Sequence, residues 1–195
     1  MKTCPRLAIF ASGSGSNAQR LAEYFARHKL VVVDSLWSNR DDAYALIRAE
    51  KLGVDTFTFD RDTFYRSNDI VEALEERKVD LIVLAGFLWL VPDYILKAFP
   101  KRILNIHPAL LPAYGGKGMY GMKVHQAVIT ARESESGITI HYVNEKYDEG
   151  DIVFQAKCPI EKEDTPEMLA AKIHKLEYGH FPSVIANLIA AKVSN

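Results

Sequence analysis

The sequence contains only two cysteines, Cys4 and Cys158, and they lie far apart without the spacing of metal ligands. It has no run of eighteen apolar residues and no N-terminal stretch typical of a signal peptide. Its 24 basic and 25 acidic residues leave a formal net charge of −1. These features argue against a disulfide scaffold, a membrane-spanning protein and broad nucleic-acid binding. We therefore expect a soluble cytoplasmic protein with two free thiols.

Apolar runs alternate with amphipathic stretches over the first hundred residues, a pattern typical of βαβ units that build a parallel sheet. The run from Leu81 to Ala85 is apolar throughout, as expected of a central parallel strand. The predicted strands are residues 7–11, 30–38, 56–59, 81–85 and 103–107. The predicted helices are residues 17–27 with Ser16 as N-cap, 42–52, 68–78 and 92–99.

The second part of the sequence has a different pattern. A loop rich in glycine and proline covers residues 108–122, and a helix is predicted at 123–132. Strands at 137–143 and 152–156 form an antiparallel pair, and a long helix starts at Pro166. The predicted fold class is α/β, an open, mainly parallel, Rossmann-like mixed sheet with helices on both faces and an antiparallel C-terminal strand pair. A length of 195 residues fits a single domain.

Small residues from Ser12 to Asn17 connect the first strand to the first helix. Small side chains let a ligand approach the backbone, and the free N–H groups at a helix start attract an anion. The acidic residue that would bind the ribose of NAD is replaced by the segment 37–40, and no Gly-Lys-Ser/Thr triplet completes a P-loop. We expect a site for one phosphate monoester here, with a plain Gly/Ser turn as the alternative.

Asn105 and His107 follow an apolar run and precede Pro108, so they are predicted at the end of a buried strand, side by side on one face. Together with Asp148 they supply a hydrogen-bond donor, a proton carrier and a carboxylate. Such a set can stabilise an oxyanion and move protons during acyl transfer. A structural role for the histidine is the alternative interpretation of the spacing alone.

Four blocks of sequence resemble the glycinamide ribonucleotide (phosphoribosylglycinamide) formyltransferases of the folate-dependent formyltransferase family. They are the Gly/Ser loop at 12–17, Leu-Ala-Gly-Phe at 84–87, Asn-Ile-His-Pro-Ala-Leu-Leu-Pro at 105–112, and Gly-Ile-Thr-Ile-His-Tyr-Val at 137–143 leading to Tyr-Asp-Glu-Gly at 147–150. The resemblance runs nearly end to end. It implies transfer of a formyl group from 10-formyltetrahydrofolate to the primary amine of glycinamide ribonucleotide, a step of purine synthesis, without a metal.

The resemblance also implies roles for particular residues. The catalytic residues are Asn105, His107 and Asp148. The residues that bind the ribonucleotide are Gly15, Ser16, Asn17, Arg61 and Glu177. The residues that bind the folate are Leu88, Trp89, Leu90, Val91, Asn144, Glu145, Lys146 and Tyr147.

The resemblance divides the domain into a phosphate- and nucleotide-binding half at 1–100 and a catalytic and folate-binding half at 101–195. We expect Asp148 to favour the cationic form of His107 and so to raise the pKa of that ring. The Leu111-Pro112 bond is predicted to be cis, because it lies in a tight turn beyond the catalytic strand. The glycine-rich loop at 113–121, with Lys117, is either a lid or a surface loop, and His141 either supports the site or is structural.

Other functions stay open at this point. A methionyl-tRNA formyltransferase is expected to carry a basic C-terminal domain, and a formyltetrahydrofolate hydrolase an additional N-terminal domain; the sequence has neither feature. A non-catalytic Rossmann-type module that binds a nucleotide or flavin is a different class, and it would have no use for Asn105, His107 and Asp148. The expected partners are the ribonucleotide and folate, with no nucleic acid and no membrane, and the chain is expected to be a monomer or homodimer.

Overall fold

The computed structural model describes residues 4–193, so the ends of the expected single domain, 1–3 and 194–195, lie outside the described residues. One sheet has the strand order β3-β2-β1-β4-β5-β6-β7. Its strands are β1 (Arg6–Phe10), β2 (Val32–Ser38), β3 (Asp55–Thr58), β4 (Leu81–Leu84), β5 (Ile103–His107), β6 (Glu135–Tyr142) and β7 (Ile152–Pro159). Neighbours from β3 to β5 are parallel, whereas β6 is antiparallel to both β5 and β7. The predicted mixed sheet with an antiparallel C-terminal pair is confirmed.

The predicted helices differ from the observed ones by one or two residues at their ends, and one observed helix was not predicted. They are α1 (Ser16–His28), α2 (Tyr44–Lys51), α3 (Arg61–Arg66), α4 (Asp69–Glu76), α5 (Asp93–Ala98), α6 (Met122–Thr130) and α7 (Pro166–Val193). The prediction of Ser16 as N-cap was wrong, because the left-handed Gly15 occupies that position. The prediction also missed α3, which begins where the Asp60 side chain accepts a 2.8 Å hydrogen bond from Thr63 N.

Two apolar clusters lie on opposite faces of the sheet. Alternate residues of β1 separate between them, with Leu7 and Ile9 in one cluster and Ala8 and Phe10 in the other. The first cluster includes buried residues of α1, α2, α6 and α7, and the second includes those of α3, α4 and α5. Helices therefore cover both faces, as predicted.

The order of the strands brings the functional segments to one edge of the sheet. The chain leaves β1 toward β2 on one side and later returns to β4 on the other, so the loops after β1 and β4 diverge above a crevice. The backbone N–H of Ser12 donates to Gly86 O across it, at 3.1 Å. On the neighbouring strands Asn105 pairs with His141 and His107 pairs with Thr139. This register sets the polar residues of β5 and β6 beside the crevice.

Candidate active site

A cavity of about 540 Å³ opens at this edge of the sheet. The segments at its wall come from the loops after β1 and β4, from the end of β5 and the glycine-rich loop, from the turn between β6 and β7, and from α6 and α7. The lining residues are Gly13–Asn17, Ala85–Leu88, Asn105–Pro108, Gly116–Gly121, His125, Tyr147, Asp148, His174 and Glu177. The structure therefore brings Gly15, Ser16, Asn17 and Glu177 together with Asn105, His107 and Asp148 in one cavity.

Gly15 gives the predicted phosphate loop its shape. Its φ of +71° is a left-handed conformation that strains other residues. A Cβ at this position would also lie 2.5 Å from Cα of Ala45. The loop is held against α2 by a 3.0 Å hydrogen bond from Ala45 N to Gly13 O. The first turn of α1 thus presents free N–H groups to the cavity, as an anion site requires.

Glu177 reaches the same loop from α7. Its carboxylate accepts a 3.0 Å hydrogen bond from Nδ2 of Asn17, and the residue is buried. Burial raises the pKa of Glu177 to about 7, and the bond from Asn17 only partly opposes this effect. The carboxyl group therefore changes protonation near neutral pH at the wall of the cavity.

Asn105, His141 and Asp148 form a second group of polar side chains. Nδ2 of Asn105 is 3.0 Å from Nε2 of His141 and 3.4 Å from Oδ1 of Asp148. The Nδ1 atom of His141 is 2.8 Å from the carbonyl oxygen of Tyr142, which can only accept. When His141 is neutral, Nδ1 therefore carries the hydrogen and Nε2 accepts from Asn105; when the ring is cationic, Nε2 also carries a hydrogen and attracts Oδ1 of Asp148, 3.6 Å away. His141 thus holds the Asn105 amide, and its role in support of the site stays a prediction.

His107 is 3% exposed and is the last residue of β5, where it contacts the glycine-rich loop. Its Nε2 is 2.8 Å from the carbonyl oxygen of Tyr114, and its Nδ1 is 3.5 Å from Oδ2 of Asp148. Burial lowers the pKa of His107, and the neighbouring Asp148 only partly opposes this effect. The prediction of a raised pKa was therefore wrong, because the loss of hydration outweighs the attraction of the carboxylate.

Asp148 occupies a tight turn between β6 and β7, with a φ of +58°. Its Oδ2 accepts a 2.9 Å hydrogen bond from Gly116 N. Burial alone would raise the pKa of Asp148, but the rings of His141 and His107 and the Gly116 N–H hold it below its usual range. The turn needs glycine at position 150, where a Cβ would overlap the carbonyl oxygen of Tyr142. Asp148 is thus an ionised carboxylate linked to both histidines.

The predicted folate-binding residues divide into two groups. Leu88, 43% exposed, and Tyr147 line the cavity. Val91 is buried in the apolar cluster below α5, and Trp89 packs against aromatic rings of the same cluster. Trp89, Leu90, Val91, Asn144, Glu145 and Lys146 are not among the described residues that line the cavity. Contact of these six with folate stays a prediction.

Arg61 starts α3 and lies beside this aromatic cluster. Its guanidinium stacks on the rings of Tyr65 and Trp89, 5.1 Å and 5.7 Å from their centroids. Arg61 is not among the described residues that line the cavity. Its predicted contact with the ribonucleotide stays a prediction.

Sequence reasoning missed two histidines in the cavity wall, His125 on α6 and His174 on α7. Burial lowers the pKa of His125 to about 4, and its Nδ1 has no hydrogen-bond partner among the described residues. Neither histidine has a local sequence signal, because only the packing of α6 against α7 brings them together. The glycine-rich loop also lines the cavity, including Lys117, and its unusual glycine content was the signal for it.

The Leu111-Pro112 bond is cis, as predicted. In the part of the chain that is described, no three His, Cys, Asp or Glu side chains are grouped so that they could hold a metal ion. No helix between residues 4 and 193 is long and apolar enough to cross a membrane.

Comparison with known proteins identifies the family. The family model described as formyl transferase matches residues 5–185. The chain is 39% identical over 196 residues to the chloroplastic phosphoribosylglycinamide formyltransferase of Arabidopsis thaliana. The alignment covers 96% of this chain and 66% of that protein. It is 37% identical over 194 residues to the phosphoribosylglycinamide formyltransferase of Bacillus subtilis (strain 168), with 94% of each covered.

The chain spans about two thirds of the length of the plant relatives it matches. Among solved structures, glycinamide ribonucleotide transformylase 1 from Symbiobacterium toebii superposes with a TM-score of 0.89 at 34% identity, covering 98% of this chain and 90% of that one. The chain therefore belongs to the phosphoribosylglycinamide formyltransferases, within the formyl transferase family.

Proposed function

We propose that this protein transfers the formyl group of 10-formyltetrahydrofolate to the primary amine of glycinamide ribonucleotide, giving formylglycinamide ribonucleotide and tetrahydrofolate, in purine biosynthesis. The observation that carries this proposal is the single cavity shared by an anion-binding loop and the Asn105, His107 and Asp148 group. Its volume of about 540 Å³ lies within the range of small-molecule sites. The family and the arrangement favour formyl transfer over a non-catalytic nucleotide-binding module.

The phosphate of the ribonucleotide binds Gly15, Ser16 and Asn17 at the start of α1. This end of the cavity offers N–H donors, and the partly protonated Glu177 beside it suits a sugar hydroxyl better than a phosphate. The amine then points toward the end of β5. The folate enters against Leu88 and Tyr147, so that its formyl carbon meets the amine beside Asn105.

The chemistry follows from the hydrogen bonds of the site. The amine attacks the formyl carbon, a new C–N bond forms, and the carbonyl oxygen becomes an oxyanion. Asn105 can give this oxyanion the hydrogen that now makes the longer, 3.4 Å contact with Asp148, while His141 keeps the amide in place.

His107 carries the proton. Because its pKa is lowered, the ring starts neutral and accepts the proton that the amine loses on attack. The resulting cation is paired with Asp148 and adds positive charge beside the oxyanion. Its proton then passes to the folate nitrogen as the original C–N bond breaks. Neither Cys4 nor Cys158 is among the described residues that line the cavity, and no covalent formyl-enzyme is needed.

An assay of folate deformylation with and without glycinamide ribonucleotide tests this function. We expect product formation that depends on the ribonucleotide, with one formylated amine for each folate consumed. Deformylation at the same rate without the ribonucleotide would instead identify a formyltetrahydrofolate hydrolase. Formylation of methionyl-tRNA would instead identify a methionyl-tRNA formyltransferase.

The division into a nucleotide-binding half at 1–100 and a catalytic and folate-binding half at 101–195 is part of the same proposal. The division fits the phosphate loop and the residues of β5 and β6. Two residues cross it: Glu177, in the second half, contacts the ribonucleotide, and Leu88, in the first half, contacts the folate. A cytoplasmic location, a monomer or homodimer, and no binding of nucleic acid complete the proposal. Light scattering on the purified protein measures the oligomeric state.

A further inference from the structure

Ser12 lies where the loops after β1, β2 and β4 meet, outside the set of residues that line the cavity. It is 3% exposed. Its hydroxyl donates a 2.6 Å hydrogen bond to Oδ1 of Asn39, just beyond β2. The same oxygen accepts a 3.0 Å hydrogen bond from the backbone N–H of Leu88, in the loop after β4. One buried hydroxyl thus connects three separate segments.

These bonds join the two ends of the proposed substrate site. Ser12 begins the loop that leads to Gly15, and Leu88 is an exposed apolar residue at the cavity wall. Asn39 fixes the direction of the hydroxyl hydrogen, which leaves a lone pair of the oxygen for the Leu88 N–H. The backbone bond from Ser12 N to Gly86 O joins the two loops two residues earlier, and the Ser12 hydroxyl extends this link to the backbone N–H of Leu88.

The two segments depend on this hydroxyl to different degrees. The phosphate loop has further anchors, because Ala11 N donates to Trp37 O and Ala45 N donates to Gly13 O, both at 3.0 Å. The N–H of Leu88 donates to the Ser12 hydroxyl. Loss of the hydroxyl leaves that N–H without its partner and frees the Leu88 segment more than the phosphate loop.

We propose that Ser12 is a positioning residue that fixes the Leu88 segment relative to the phosphate loop, so that the folate is held at reacting distance from the amine of the ribonucleotide. The inference rests on the proposed function, since it takes Leu88 as a folate contact. Formyl transfer requires two bound molecules to meet within a narrow range of distance and direction. A hydroxyl that ties the two binding segments together contributes to this geometry without touching either substrate.

Ser12→Ala removes the hydroxyl, and Ser38→Ala is the matched control. Ser38 is also fully buried at a strand end, and its hydroxyl accepts a 3.2 Å hydrogen bond from Arg40 N without reaching the β4 loop. We expect Ser12→Ala to raise the KM for the folate about tenfold, the scale of one lost buried hydrogen bond, and to change the KM for the ribonucleotide less than about twofold. Ser38→Ala should change neither value by more than about twofold.

Asn39→Ala provides a second test, because it removes the acceptor but keeps the Ser12 hydroxyl. A smaller rise in the same KM is expected, and Ser12→Thr, which keeps the hydroxyl, should restore folate binding relative to Ser12→Ala. Equal rises in both KM values, or the same change in Ser38→Ala, would show a general loss of structure and overturn the proposal. An unchanged KM for the folate in Ser12→Ala would overturn it as well.

Hydrogen exchange at the Leu88 amide separates this inference from the proposed function, since it needs no substrate. Exchange of this amide should accelerate in Ser12→Ala and stay unchanged in Ser38→Ala. Faster exchange in a protein whose wild type lacks formyl transfer would count against the proposed function. Unchanged exchange, with an active wild type, would count against the role of Ser12.

Discussion

The Nδ1 atom of His107 faces Asp148, 3.5 Å from its Oδ2, while Nε2 is committed to the carbonyl oxygen of Tyr114 at 2.8 Å. A carbonyl oxygen only accepts, so Nε2 keeps its hydrogen in the neutral ring. The proton that His107 gains or loses is therefore the one on Nδ1. The carboxylate of Asp148 stands opposite that proton and controls how easily it is held.

The pH dependence of turnover should report this arrangement. Asp148 favours the cationic ring, so Asp148→Asn should lower the pKa of His107 further below its usual value. Because the proposed mechanism needs neutral His107, the acid limb of kcat should move to lower pH, together with a fall in the maximal rate.

The measurement is a pH–rate profile with both substrates saturating. Asp151→Asn, an exposed neighbour in the same loop, serves as the control and should keep the wild-type limb. An acid limb that stays in place, or moves to higher pH, in Asp148→Asn would show that Asp148 is not the electrostatic partner of His107.

Asn105→Ala and His107→Ala should each leave a folded protein with severely reduced turnover. Loss of one oxyanion donor, as in Asn105→Ala, costs on the order of 10²–10³ in rate, and loss of a general acid–base group, as in His107→Ala, costs on the order of 10²–10⁴. Single-turnover kinetics measure the effect on turnover, and thermal unfolding checks that each variant is folded. Turnover near the wild-type value in a folded His107→Ala protein would contradict the mechanism.

Gly15→Ala should weaken binding of the ribonucleotide while leaving the folate site almost unchanged. The added Cβ would lie 2.5 Å from Cα of Ala45 and would displace the phosphate loop. Gly53→Ala is a matched control, because Gly53 has the same φ of +71°, no neighbour within 4 Å of the added Cβ, and a position outside the cavity lining. Steady-state kinetics should show a KM rise for the ribonucleotide in Gly15→Ala alone. A similar rise in Gly53→Ala would assign the effect to backbone strain.

Glu177→Gln should stabilise the ligand-free protein, and the gain should grow with pH. The folded pKa of about 7 lies above the ordinary value of 4.5. Between these values the folded state holds a proton that the unfolded state has lost, so the wild type loses stability as pH rises. The gain from Gln should reach about 3 kcal/mol above pH 7.

Denaturant unfolding between pH 4.5 and 8 measures this gain. Glu163→Gln, at an exposed site, should give a difference from the wild type that does not vary with pH. A flat difference for Glu177→Gln as well would mean that Glu177 is ionised in the folded protein throughout this range.

The strands were predictable from sequence because apolar runs such as Leu81–Leu84 have few alternatives to a buried strand. The grouping of Asn105 and His107 followed from their alternation on β5. The direction of the His107 pKa shift did not follow, since it depends on how completely the folded chain excludes water from the ring. The position of Gly15 as the helix cap depends on one left-handed residue, which a Gly/Ser repeat leaves ambiguous.

The cavity residues of α6 and α7 were harder to predict. Glu177 was assigned through family resemblance, and nothing in its local sequence distinguishes it from an exposed helical glutamate. His125 has no comparable signal, because it is buried by contacts between elements distant in sequence. The prediction treated residues 88–91 as one folate-binding segment. In the structure Leu88 faces the cavity, whereas Val91 packs into the core.

The bond between Asn17 and Glu177 joins residues 160 positions apart, on the first and last helices. The proposed ribonucleotide site is therefore complete only when α7 has docked against α1 on their shared face of the sheet. A ligand held by both helices binds the folded chain and not its partly assembled forms, so it shifts the folding equilibrium toward the complete topology. On the proposed function, the substrate is a non-covalent cross-link between the two ends of the fold.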